Sequence, residues 1–317
     1  MLHGYAQDGN TFYRKTSRLV HSIRAAYPDA YFAWPDGPVE LHTADIPGFE
    51  TGFYGSQDRN GPGLRAWFHL RCVANPPTGL MKSLDVIAGV LKREGPFDGI
   101  IAFSQGTLLA GIVASLLDGQ ARQAAFIDAS ASFADIFQYP EAFRELVHPP
   151  LRFSVLYATR VGREPHYHWL YEKPTISTPF CLVNGRWDPM VEYEEQSAAL
   201  DKLSNHKSCA SIEHEGGHFV PTDDVNTTLV VNFIGNATSL RPQSYGIATV
   251  RPLPHSRAVD PHELRRRLEG LKNAVRRGAP SRSENKFSVE AIDDDNTMRF
   301  RTPISLRRGT GSATLGR

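Results

Sequence analysis

The 317-residue chain reads as an α/β protein, with a mainly parallel sheet covered by helices on both faces. Three observations lead there. Short apolar runs alternate with longer segments of helical periodicity through residue 236. The strand-length runs are apolar throughout, as in strands buried on both faces. With 41% hydrophobic residues the chain can fill a sizeable core.

Residues 30–34 are short and aromatic, ended by Pro35-Asp36-Gly37-Pro38, and predict a strand and a turn. Residues 39–77 mix Gly and Pro with Phe49, Phe53, Tyr54, Trp67 and Phe68, which predicts a long loop or small lid. Leu80, Leu84, Ile87, Val90 and Leu91 recur at helical spacing over 78–92, closed by Pro96 and Phe97. A strand over 98–103 then runs into an apolar helix over 105–117. Residues 123–129 fit strand or helix equally. Strands are expected at 153–157, 180–183 and 208–212, and helices at 192–203 and 224–234. Strands separated by helices imply βαβ units.

Composition changes near Asn236. Residues 1–236 hold 19 Lys and Arg against 26 Asp and Glu, whereas residues 237–317 hold 16 against 8. A folded α/β domain over 1–236 and a largely disordered basic tail over 237–317 are expected. One amphipathic helix is expected near 261–277. Asp260 would cap it, Pro261 would be its first residue, and Leu264, Leu268, Leu271 and Val275 would share a face. That helix either docks on the domain or forms transiently, or it binds a protein partner or an anionic surface.

The overall charge of +1 gives no reason to expect a nucleic-acid partner. Cys72, Cys181 and Cys209 have neither disulfide-framework nor zinc spacing, so reduced thiols in the cytoplasm are expected. No apolar run is long enough to span a bilayer, and the start lacks signal-peptide character.

The chemistry begins at Ile100-Ile101-Ala102-Phe103-Ser104-Gln105-Gly106. An apolar strand meets a Ser with small residues two before and two after, and an apolar helix follows. That is the setting of a nucleophile elbow, with the helix's positive end aimed where an oxyanion would form. A hydroxyl needs a base, and the base needs an orienting acid. Asp188, in Asn184-Gly185-Arg186-Trp187-Asp188-Pro189, follows a strand and is the candidate acid. His218, in Glu213-His214-Glu215-Gly216-Gly217-His218, is the candidate base, with His214 its competitor. Ser104, Asp188 and His218 also fall in the chain order that the elbow motif requires. Backbone amides of Tyr5 and Gln105 are the candidate oxyanion donors, and Trp67 and Phe68 the candidate apolar walls of an acyl pocket. Neither metal nor organic cofactor is expected.

Taken together, LHGYAQDG at the start, GPGLRAWF at 61–68, AFSQG, GRWDPMV and HEGGHFVP resemble the fungal serine hydrolase family, which is similar to the ovarian-cancer-associated serine hydrolases. The resemblance covers roughly residues 1–236. It implies the α/β-hydrolase fold, the triad Ser104, Asp188 and His218, and esterase or thioesterase activity on small-molecule or carrier-bound acyl groups. Ala102 stands where the family often has Gly. The start at Met1 leaves the family's first strand almost absent, so it is expected as a truncated strand. The competing readings are a non-catalytic binding protein that keeps the fold, and a scaffold that works through its basic tail.

Overall fold

The computed structural model describes residues 1–42, 46, 64–69, 77–132, 138–160, 162, 167, 176–192, 195–196, 198–199, 209–238 and 249–250. In chain order the elements are α1 (Gly9–Lys15), α2 (Ser17–Ala26), β1 (Val39–Glu40), β2 (Arg65–Ala66), α3 (Leu80–Glu94), β3 (Gly99–Phe103) and α4 (Gln105–Leu116). They continue with α5 (Gln120–Ser132), α6 (Glu141–Arg144), β4 (Phe153–Tyr157), β5 (Phe180–Gly185), β6 (Ala210–His214), α7 (Asp224–Thr238) and β7 (Thr249–Val250). β1 and β2 form a small antiparallel pair. β3 to β7 form a five-stranded sheet in sequence order, every neighbouring pair parallel. Met1–Pro252 make one compact unit.

The first strand is a single bridged residue. Leu2 pairs in parallel with Ala102, donating its amide to Ile101 O at 2.8 Å and accepting from the Phe103 amide at 3.0 Å. The Met1 amine donates to Ala33 O at 3.0 Å.

Side chains alternate across a strand, so each β-strand feeds two cores. Ile100, Ala102, Leu156 and Leu182 point to one face, where Leu80, Leu84 and Ile87 of α3 and Leu109 and Ile112 of α4 cover them. Ile101, Phe103, Val155, Tyr157 and Val183 point to the other. There Phe12 of α1, Leu19 and Ile23 of α2, and Val230 and Phe233 of α7 pack on them. This is the expected α/β-hydrolase layering. α4 is buried along its whole length, which its apolar and small residues permit on every side.

Several elements differ from the sequence reading. Residues 123–129 belong to helix α5, which resolves their ambiguity. Residues 30–34, expected as a strand, join no strand ladder. α1 and α2 carry no assignment in the sequence reading. Asp8 is the cap that marks α1, accepting the Thr11 amide at 2.6 Å. The last helix reaches Thr238, past the expected domain edge at 236. Of the helix expected over 192–203, residues 195–196 and 198–199 are helical and most of the remainder lies outside the described residues. The stretch expected as a disordered tail contains β7, whose Thr249 and Val250 pair with Ser211 and Ile212 of β6. The helix expected near 261–277 lies outside the described residues, as do Phe49, Phe53, Tyr54 and Cys72.

Candidate active site

β3 ends at Phe103 and α4 begins at Gln105, leaving Ser104 alone to make the turn. It does so at φ 51° and ψ −117°, a left-handed conformation that a side chain resists and that its surroundings must hold. The surroundings are specific. The Ser104 amide donates to Tyr157 O at 2.9 Å, and the Thr107 hydroxyl donates to Ser104 O at 2.6 Å. The same hydroxyl accepts the Arg160 amide at 3.0 Å, fastening the turn to the end of β4. Thr107 is a site residue that the sequence reading missed; a hydroxyl in the first helical turn is its only local signal. Gly106 is required by close approach. A Cβ there would lie 2.7 Å from both Leu2 O and His3 O.

Asp188 and His218 arrive from the loops after β5 and β6, which are adjacent parallel strands. Asp188 Oδ1 accepts the amides of Met190 at 2.8 Å and Val191 at 2.9 Å. Its Oδ2 lies 2.7 Å from His218 Nδ1, and the carboxylate is fully buried. A carboxylate only accepts, so His218 Nδ1 carries the proton and Nε2 offers its lone pair. Ser104 Oγ sits 2.9 Å from that Nε2 and donates to it. The structure thus joins Ser104, His218 and Asp188 in one hydrogen-bonded chain. His214 does not join it. It is buried with its Nδ1 accepting the Gly216 amide at 3.1 Å.

Gln105 opens α4, and the first amides of a helix have no acceptor within it. Its side chain is committed elsewhere: Oε1 accepts the Trp67 amide at 2.9 Å and Nε2 donates to Phe68 O at 2.7 Å. Tyr5 follows Gly4, whose missing side chain lets this loop lie on the turn. A Cβ at Gly4 would be 2.8 Å from the Phe103 ring and 3.3 Å from Ser104 Cβ.

Trp67 and Phe68 both pack in the hydrophobic core, Trp67 at 0% exposure and Phe68 at 6%. The Trp67 indole N–H donates to His3 O at 2.8 Å, and its ring stacks on the His3 ring at 4.6 Å. Aromatics in a loop rich in Gly and Pro read as exposed. Here long-range contacts to residues 3 and 105 bury them.

Cys181 and Cys209 are free and buried. Burial pushes both thiols up, Cys209 to about 12, so neither is a nucleophile near neutral pH. Among the described residues no group of three or more His, Cys, Asp or Glu is placed to hold a metal, and no helix is long and apolar enough to cross a membrane. A cavity of about 820 Å³ lies at the opposite, N-terminal ends of β3 and β4, among Ile23, Ile87, Ile100, Phe153 and Ile234, and shares none of the three residues above.

A parallel sheet that delivers a serine on a strained strand-to-helix turn is the architecture of the α/β-hydrolases. Residues 1–230 match the family described as "Serine hydrolase (FSH1)", and the chain belongs to that family. It is similar to "Family of serine hydrolases 2" of Saccharomyces cerevisiae, 27% identical over 227 residues that cover 70% of this chain and 90% of that one. It is similar to human "Esterase OVCA2", 29% identical over 228 residues, covering 69% and 87%. A Schizosaccharomyces pombe protein called "Dihydrofolate reductase" is 26% identical over 250 residues, 77% of this chain but 48% of that protein, so the chain spans about half its length.

Proposed function

We propose that the protein hydrolyses an acyl ester or thioester through an acyl-enzyme on Ser104. The observation that carries this is the continuous chain from Ser104 Oγ through His218 to Asp188, at 2.9 and 2.7 Å. In the scheme Ser104 Oγ attacks the acyl carbon while His218 Nε2 takes its proton. The carbonyl electrons move onto oxygen, which the amides of Gln105 and Tyr5 stabilise. His218 then gives its proton to the departing alcohol or thiol, and the acyl group stays on Ser104. Water repeats the sequence: His218 takes its proton, the acid leaves and Ser104 is restored. Asp188 holds the imidazole in the required tautomer and balances its charge. The scheme uses neither metal nor organic cofactor. The acyl donor is a small molecule or a carrier-bound chain, in keeping with esterases among the relatives. Residues 1–236 form the hydrolase domain in this reading, and the buried free thiols suit the cytoplasm.

A fluorophosphonate probe tests the reading. It should modify Ser104 alone. Ser104→Ala should abolish labelling, and His218→Ala should lower kcat for a p-nitrophenyl ester by about 10⁴-fold or more. Labelling that survives in Ser104→Ala removes the assignment. An unreactive wild-type protein would favour the non-catalytic reading instead.

A further inference from the structure

His218 hangs from the short turn at 215–217, and the position of that turn depends on Gly216. Both polar groups of Gly216 are engaged. Its carbonyl accepts the amide of Trp187, the residue next to Asp188, at 3.0 Å. Its amide donates to His214 Nδ1 at 3.1 Å. One residue of the turn is therefore gripped by the acid-bearing loop on one side and by an imidazole on the other. His214 is itself fixed. It ends β6, it is 5% exposed, and its carbonyl accepts the Arg186 amide at 2.9 Å. The Phe219 ring packs against it at 5.2 Å. A Cβ at Gly216 would fall 2.8 Å from His214 Nδ1 and 2.2 Å from the Phe219 ring, so the turn fills the space between them.

We propose that His214 is a positioning residue for His218: its neutral ring holds the Gly216 amide and so sets where the base stands between Asp188 and Ser104. The proposal rests on the hydrolase reading above and deepens it. The amide is a donor, so Nδ1 must be unprotonated and the ring proton belongs on Nε2. Burial lowers the His214 pKa and favours that neutral form, against the pull of Asp223, Asp188, Glu213 and Glu215, the last two themselves paired with Arg186. Without the acceptor, the Gly216 amide loses its partner, and the turn keeps only the Gly216 carbonyl bond to Trp187 and the exposed Glu215 contacts to Arg186 and Trp187. Proton transfer between Ser104 and His218 needs a close, aligned contact, so a small displacement costs rate far more than it costs binding. The two histidines that compete as bases in the sequence thus have separate roles. One carries the proton and the other places it.

Two substitutions separate positioning from packing. His214→Phe keeps the ring volume against Phe219 but offers no acceptor. His214→Asn offers Oδ1 close to the place of Nδ1 but packs less well. kcat for a p-nitrophenyl ester should fall about 10- to 100-fold in His214→Phe with KM within a few-fold of wild type. His214→Asn should recover most of kcat while melting below His214→Phe. An activity order opposite to the stability order is the signature of positioning. Wild-type kcat in His214→Phe, or activity that simply follows melting temperature, would overturn the proposal. A second readout does not need turnover. The downfield NMR proton of the His218–Asp188 hydrogen bond should be present in wild type, weakened or lost in His214→Phe and restored in His214→Asn. If the wild type shows that proton but reacts with neither probe nor ester, the hydrolase reading fails while the positioning role is still decided by the NMR series. If the proton persists unchanged in His214→Phe, the positioning role fails whatever the activity.

Discussion

Trp67 forms several contacts that a substrate-facing residue would not. Its indole N–H is bonded to His3 O, its ring is stacked on His3, its amide is bonded to Gln105 Oε1 and its carbonyl accepts the Ser83 hydroxyl. Trp67→Ala should therefore cost about 3–5 kcal/mol of stability, read by denaturant unfolding. The acyl-length preference on p-nitrophenyl esters should keep its shape. A flattened preference with unchanged stability would return Trp67 to the substrate pocket. The contrast with Ser104 shows what a sequence reveals at single residues. Ser104 was legible because strand, serine, small residues and helix are neighbours in the chain. Asp188 was legible for the same reason, at the end of an apolar strand. The choice between His214 and His218 depended on how two glycines turn, and the burial of Trp67 depended on a partner 64 positions away. Neither is a local property.

At the level of elements, glycines with similar surroundings in sequence have opposite roles. Gly106 and Gly89 both lie within helices, where alanine is intrinsically better by roughly 1 kcal/mol. At Gly89 an added Cβ would meet only the end of the Arg93 side chain, at 3.0 Å, and a flexible guanidinium can move. At Gly106 it would meet the carbonyls of Leu2 and His3, which cannot retreat without breaking the Leu2 bonds to Ile101 and Phe103. Gly89→Ala should raise stability by about 0.5–1 kcal/mol. Gly106→Ala should lower it by about 1–3 kcal/mol and lower kcat as well, since the Tyr5 loop would be pushed from the turn. Paired melting curves and ester kinetics check both signs. A stabilised Gly106→Ala would mean that the N-terminal loop does not hold the elbow. Strands β3 to β6 and helices α3, α4 and α7 were legible through their apolar spacing, whereas the two-residue strands β1, β2 and β7 are too short to show a pattern. The segment 30–34 was not legible, because being a strand requires a neighbour to pair with, and its described backbone link to the N-terminal segment is the Met1 amine at Ala33 O.

Across the whole molecule, the two-faced core was visible in the unbroken apolar strands, but the polar hub beneath the active-site loop was not. His3 is that hub. Its Nδ1–H donates to Gly4 O at 2.8 Å, its Nε2 accepts the Gly37 amide at 2.9 Å, and Trp67 covers its ring. Burial lowers its pKa from 6.5 to about 4, against the opposing pull of Asp36 and Asp8 and with a small contribution from Arg65. Protonation would also set a donor on Nε2 against the Gly37 N–H. Between pH 6.5 and about 4 the unfolded chain binds this proton and the folded chain does not, so acid favours unfolding. The stability that His3 contributes is complete above pH 6.5 and is lost as pH falls toward 4, a change on the order of 3 kcal/mol. His3→Gln removes this group, because Gln cannot titrate. The variant should be less stable at neutral pH, yet its unfolding free energy should fall less steeply than that of wild type on acidification through the His3 range. Urea unfolding across that range gives the two slopes. Parallel slopes would show that His3 takes up its proton without disturbing the fold, and that the Gly4–Gly37 link is not what acid breaks.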